Sequence, residues 1–136
     1  MISTEDVVVT LPEEEAWEFL RCHRLGRLAY HLVGEVHLVP VNYTASEGRL
    51  LIRTAAGSKL LGVVMNDDVA FEADEVGTDE ATSVIVRGSA YLLHGEEADR
   101  ALALPLRSWV LTDKDQVIAI DVREISGRTF RLDRRD

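Results

Sequence analysis

Apolar and polar residues alternate along most of this chain, and the alternation predicts an antiparallel sheet. Leu28, Tyr30 and Leu32 alternate with Arg27, Ala29 and His31, the period of a half-buried strand. Val33-Gly34-Glu35 then turns the chain into a second strand, Val36 to Tyr43, and Ser46-Glu47-Gly48 turns it into a third, Arg49 to Thr54. Connections this short predict that the three strands form a meander. Further strands are predicted over Val69 to Asp74, Thr82 to Leu93, Gln116 to Val122 and Ile125 to Leu132. Val84, Val86, Ala90 and Leu92 share one face of the long strand, and Ile118, Ile120 and Val122 point inward from the next. Gly88 predicts a bulge or a close backbone approach.

Helical spacing is confined to short stretches. Thr10-Leu11-Pro12-Glu13 reads as a helix start, with Thr10 as the cap, Glu13 completing an S/T-x-x-E box and Pro12 tolerated in the first turn. Glu13, Glu14 and Glu15 match the positive end of the helix dipole. Ala16, Phe19, Leu20 and Cys22 supply the apolar side of a helix ending near Gly26. Lys59 to Met65 and Glu96 to Ala103 read as two more short helices, and the acidic stretch Asp74 to Ala81 as a surface loop. About six strands and two or three short helices predict a mainly β protein, a six-stranded antiparallel barrel closed or partly closed, as one domain over residues 1–136.

Composition narrows the function classes. A chain of 136 residues with 46% hydrophobic and 29% charged residues is long enough for one core. Its formal net charge of −9 argues against nucleic acid and anionic membrane surfaces as partners, because both demand clustered Lys and Arg. Any anionic ligand must therefore be held by a local basic cluster. Cys22 is the only cysteine, so no intrachain disulfide forms, and it is expected to be a buried, inert thiol. The first residues lack the pattern of a signal peptide and no apolar run is long enough to span a bilayer, so the expected location is the cytoplasm.

One segment carries the strongest candidate chemistry. Arg53 ends a strand, Thr54-Ala55-Ala56-Gly57 makes a small-residue turn, and Ser58-Lys59 opens a helix. Free amides at a helix start suit a phosphate, to which Ser58 adds a hydroxyl, Lys59 a point charge and Arg53 a two-pronged guanidinium. An ordinary Ser cap flanked by two exposed cations is the competing reading. The segment is not a triphosphate P-loop, since Leu60 follows Lys59 and Ile52 stands where the first glycine belongs, and no G-x-G-x-x-G turn is present. His23, His31, His37 and His94 lack the spacing of a zinc site, and His31 and His37 are expected to face one another across the first hairpin as a structural pair.

Five segments in the same order resemble the pyridoxamine 5′-phosphate oxidase-like family of FMN-binding split barrels. They are Leu25-Gly26-Arg27-Leu28-Ala29, Val39-Pro40-Val41-Asn42-Tyr43, Arg53 to Lys59, Val69 to Glu75, and Val86-Arg87-Gly88-Ser89-Ala90. The resemblance covers roughly residues 10 to 132. It implies a homodimer of split barrels with two FMN molecules at the subunit interface, the phosphate on Arg53, Ser58 and Lys59. The isoalloxazine ring would lie along Val39, Pro40, Val41 and Asn42 and near Thr54 and Ala55. Pro40 suits a bulge or edge where backbone can face a ligand, and Asn42 would bond either the ring's polar edge or local backbone. Trp109 would cover the neighbouring subunit's flavin or act as a core or interface aromatic. Arg128 would reach the site or make a surface salt bridge. The true oxidases carry an Arg between the phosphate-binding Ser and Lys, whereas Ser58 and Lys59 are adjacent, so the resemblance does not extend to their vitamin substrate. It implies an FMN-dependent oxidoreductase acting on a small molecule. The alternatives are a non-catalytic flavin-binding or flavin-sequestering protein, a relative binding the deazaflavin coenzyme and, more remotely, a haem protein.

Overall fold

The computed structural model describes residues 7–55, 68–105 and 116–133. Within them the chain runs β1 (Val8–Leu11), α1 (Glu13–Cys22), β2 (Leu25–Leu32), β3 (Glu35–Asn42), β4 (Thr44–Ser46), β5 (Arg49–Thr54), β6 (Asp68–Val76), β7 (Glu80–Leu92), α2 (Gly95–Leu102) and β8 (Gln116–Arg131). Eight strands therefore stand where about six were expected. All pair antiparallel in one sheet of order β3-β2-β6-β7-β8-β5-β4, with β1 added to β8. The sheet is not closed, in keeping with the split barrel that the resemblance implies. The helix expected over Lys59 to Met65 lies outside the described residues.

Three expectations fail for reasons of pairing. The meander stops after its first hairpin: β2 and β3 pair along their full lengths, but β5 lies against β8, with Leu51 opposite Ala119. The two strands read at the C-terminal side of the chain are one 16-residue strand, β8. Its polar middle does not break it, because a bulge absorbs the irregularity. Arg87 is opposite Glu124 and Gly88 is opposite Val122, which leaves Arg123 as the extra residue. Gly88 is needed on the facing strand, since a Cβ there would overlap the Asp121 backbone. The acidic loop is also mostly strand, with β6 and β7 paired as far as Val76 opposite Ala81.

The start of α1 is a fourth correction. Thr10 does not cap it, because Thr10 belongs to β1 and pairs with Arg128. Pro12 occupies the cap position with extended backbone and no side-chain bond, and α1 ends at Cys22 rather than near Gly26. Ala16 and Leu20 are fully buried against the sheet. Gly127 permits that approach: a Cβ there would lie 3.3 Å from the Ala16 Cβ and 3.0 Å from the Leu11 side chain. Cys22 is exposed rather than buried, and its thiol, donating to Glu18, is pushed above its ordinary pKa.

The inward residues of both halves of the sheet form one core around Leu28, Phe71, Val84, Val86, Ile118 and Ile120. A smaller cluster under α2 joins Leu51, Leu93, Ala101, Val117 and Ala119, which is why β8 is buried on both faces from 117 to 120. Tyr43 is buried in the main core, where its hydroxyl donates to the Leu20 carbonyl at 2.8 Å and its ring meets Phe71 edge-on.

The β2–β3 hairpin turns at Val33 (φ 53°) and Gly34 (φ 78°). Two positive φ values suit the twist of a tight hairpin, and Asn-Gly is the preferred pair; a β-branched residue there is strained. Val33 is 91% exposed, so no packing compensates. Val33→Asn is expected to stabilise the protein by about 1 kcal/mol, read as a raised urea midpoint with unchanged slope.

Candidate functional site

Two of the segments singled out in the sequence, on β3 and on the described part of β5, lie on strands that touch. β4 and β5 form a tight hairpin with Thr44 opposite Leu51, and β3 and β5 are in contact. Arg24, just before β2, ties the junction together. Its carbonyl accepts the Tyr43 amide at 3.0 Å and the Asn42 side-chain amide at 3.2 Å. Asn42 thus makes the local backbone bond that was one of its two expected roles.

Strand alternation sorts the candidates. Val41 is buried and Val39 packs against the core, so their side chains turn inward. Pro40 is exposed on β3, the terminal strand of the sheet, opposite Arg27. Thr54 is buried at the end of β5, while Arg53 and Ala55 on either side of it are half-buried. Ser58, Lys59 and Trp109 lie outside the described residues. Arg128 is exposed between Thr10 and Ser83 and makes no salt bridge among the described residues. His31 and His37 do not face one another. Tyr30 is opposite His37 and stacks on it at 5.2 Å, and His31 is opposite Val36.

A charged cluster escaped the sequence reading because it joins strands 45 residues apart. On the outer face beside Pro40, the Arg27 guanidinium donates to Glu72 at 2.9 Å and to Asp74 at 2.7 Å, and Ser83 donates to Glu72. Burial pushes the Glu72 carboxyl above its ordinary value, while the hydrogen bond from Glu72 holds Asp74 below its own. The two shifts act oppositely on stability. The Glu72 contribution is full in acid and is lost as pH rises through its raised value; that of Asp74 is full above its ordinary range and is lost in acid. Arg27 favours the ionised form of both carboxyls. Arg27→Met is therefore expected to destabilise by about 1 kcal/mol more at about pH 7 than at about pH 4, measured by urea unfolding at each. The only sequence signal of this cluster was alternation placing Arg27, Glu72 and Asp74 on outward positions; their register was not readable.

The arrangement can hold an extended ligand along an open strand edge. Beyond β3 no further strand is paired among the described residues, which makes Val39 to Asn42 part of a terminal strand. Pro40 removes one donor from the row. β5, which touches β3, carries the positive charge of Arg53 near its end. No helix among the described residues is long and apolar enough to cross a membrane.

Residues 12–129 match the family model described as pyridoxamine 5′-phosphate oxidase. The chain is also similar to a solved Corynebacterium glutamicum protein provisionally described as a pyridoxamine 5′-phosphate oxidase. The two are 36% identical with a TM-score of 0.82, covering 96% of this chain and 99% of the other. The FAD binding protein from Mycobacterium smegmatis is 34% identical with a TM-score of 0.75, over 91% of this chain and 99% of that one. A FAD-binding protein from Mesorhizobium loti is 27% identical with a TM-score of 0.79, over 90% and 98%.

Proposed function

The chain belongs to the pyridoxamine 5′-phosphate oxidase family, and from that premise we propose that it binds FMN and uses it as an oxidoreductase on a small molecule. The observation that carries the reading is the contact between β3, the terminal strand of the sheet that holds Val39 to Asn42, and β5, the strand that ends on Arg53 and Thr54. Similar proteins described as FAD-binding support a flavin in general.

The residues present fit such a group by their chemistry. The flavin ring needs donors and acceptors in a row along its polar edge, and a terminal strand such as β3 carries such a row. Its phosphate needs a guanidinium, and Arg53 stands half-buried at the adjoining strand end. Bound FMN would supply the electron transfer. The protein's part is to hold the phosphate on Arg53 with Ser58 and Lys59, to align the ring on β3 and to orient Asn42 through Arg24. None of Val39 to Asn42 or Arg53 to Ala55 carries a group that titrates near neutral pH. That favours, as a second reading, a protein that only binds or sequesters flavin.

The proposal includes a homodimer. Leu38, 66% exposed on the outer edge strand, continues the apolar row that Pro40 begins, and a second copy would cover it. In that assembly Trp109 would approach the partner's flavin.

The absorption spectrum of the freshly purified protein tests the cofactor. An oxidised-flavin spectrum that releases FMN on denaturation is expected; a deazaflavin or haem spectrum would replace the reading. Reduction by a panel of donors then separates the two roles, since a sequestering protein is reduced slowly by all of them.

A further inference from the structure

A groove crosses the outer face of the sheet one row along from Pro40. Register places Leu38, Ala29, Ala70, Arg87 and Glu124 side by side across five strands. Ala29 and Ala70 form a floor with little side-chain bulk, which gives the groove its depth. On one side of Arg87 it measures about 370 Å³ and is walled by Val36, His31, Val69 and Asp68. On the other it measures about 370 Å³ and is lined by Ile85, Ile125, Ser126 and Glu13. Arg87, Arg123 and Glu124 belong to both halves and stand at the waist.

The two arginines are held differently. Arg123 is the bulge residue, turned onto this face by the register shift, and its guanidinium is fixed by Asp68 at 2.6 Å and Ser89 at 3.1 Å. Bulges that re-aim a side chain are common beside ligand sites. Arg87 is exposed and forms no salt bridge or side-chain hydrogen bond among the described residues, although Glu124 is its cross-strand neighbour. Asp68, held by Arg123, acts on Arg87 without a hydrogen bond or close ion pair. A guanidinium that no carboxylate bonds directly, with Val36 and Val69 on one side of it and Ile85 and Ile125 on the other, suits a ligand with an anionic group at the waist and an apolar body along the groove.

We propose that this groove binds a small molecule made of an apolar body and one anionic group, anchored by Arg87 and bordered by the fixed Arg123. Its place beside the proposed ring strand makes it the substrate side of the flavin site, a clause that rests on the flavin reading. The test uses anilinonaphthalene sulfonate fluorescence on flavin-free protein, with octanoate and octanol as competitors. Octanoate is expected to displace the probe at least about ten-fold better than octanol, the loss of one charge-assisted contact. Arg87→Ala should abolish that preference, Arg87→Lys should restore part of it, and Arg100→Ala on α2 should leave it unchanged. Equal displacement by the two competitors, an unaltered preference in Arg87→Ala, or no probe binding would each overturn the proposal. With FMN present, octanoate should perturb the flavin absorbance. Octanoate binding in a protein that takes up no flavin would uphold the groove and sink only the flavin reading; flavin binding with no octanoate preference would sink the groove alone.

Discussion

Arg53→Ala is expected to weaken FMN binding by about ten- to a hundred-fold while changing riboflavin binding by less than about two-fold. The two ligands differ only in the phosphate, so the contrast isolates the group that Arg53 is proposed to hold. The physical ground is placement. Arg53 sits half-buried at the end of β5, next to the buried Thr54 and across from Val117 on β8, a strand fixed on both faces by core packing. A guanidinium on so rigid a base loses little freedom on binding, and two parallel bonds to phosphate oxygens use its fork. Lys59→Ala should act in the same direction with a smaller effect, since an ammonium is a single point of charge. Calorimetric titration of both flavins against each variant is the measurement. Equal weakening of FMN and riboflavin by Arg53→Ala would mean that Arg53 supports the ring or the fold, and would remove the phosphate site.

The largest effect on stability is expected from Phe71→Ala, about 3–5 kcal/mol, read from denaturant unfolding. Phe71 is 1% exposed in β6, its ring meets Tyr43 at 4.8 Å, and it lies across the Gly26 backbone. A Cβ on Gly26 would overlap the Phe71 ring and lie 2.7 Å from the Glu72 carbonyl. Gly26→Ala alone should therefore be costly through overpacking, about 1–3 kcal/mol. In the Phe71→Ala background that cost should fall, because the ring is gone and only the carbonyl still crowds the new methyl. The double-mutant cycle measures the coupling directly. Additive effects would show that Gly26 is required by the β6 backbone rather than by the ring.

Features with a local cause were legible in the sequence. β5 falls on Arg49–Thr54 as read, and the Val33-Gly34 and Glu47-Gly48 turns sit at positive φ where glycine was expected to mark them. Gly88 does lie at an irregularity and at a close backbone approach, but the extra residue is on the facing strand. What the pattern could not carry was partnership. Period two says that β5 has an inner face, not that β8 rather than β3 lies beside it. β1 was missed for the same reason: four residues before a proline look like a cap, and only pairing with Gly127 to Phe130 makes them a strand. At the candidate site, Pro40, Asn42 and Arg53 came from local signals and from resemblance. The Arg27–Glu72–Asp74 cluster and the Arg87 groove, each assembled from strands far apart in the chain, did not.

The position of β8 in the chain also bears on how this protein is made. β8 pairs with β1, β5 and β7, and all three precede it. Without it the hydrogen-bonded sheet falls into β3-β2-β6-β7 and β5-β4, β1 loses the strand it pairs with, and the 13-residue β7 shows a bare edge. On a translating ribosome the nascent chain must therefore wait, unzipped, until its keystone strand emerges. At about 5–20 residues per second the roughly 40 residues from the end of β7 through β8 take a few seconds to appear, long enough for chaperones to matter. A chain cut short before Gln116 is predicted to aggregate rather than to fold into a smaller version of itself, which pulse-labelled synthesis of stop-codon variants would reveal.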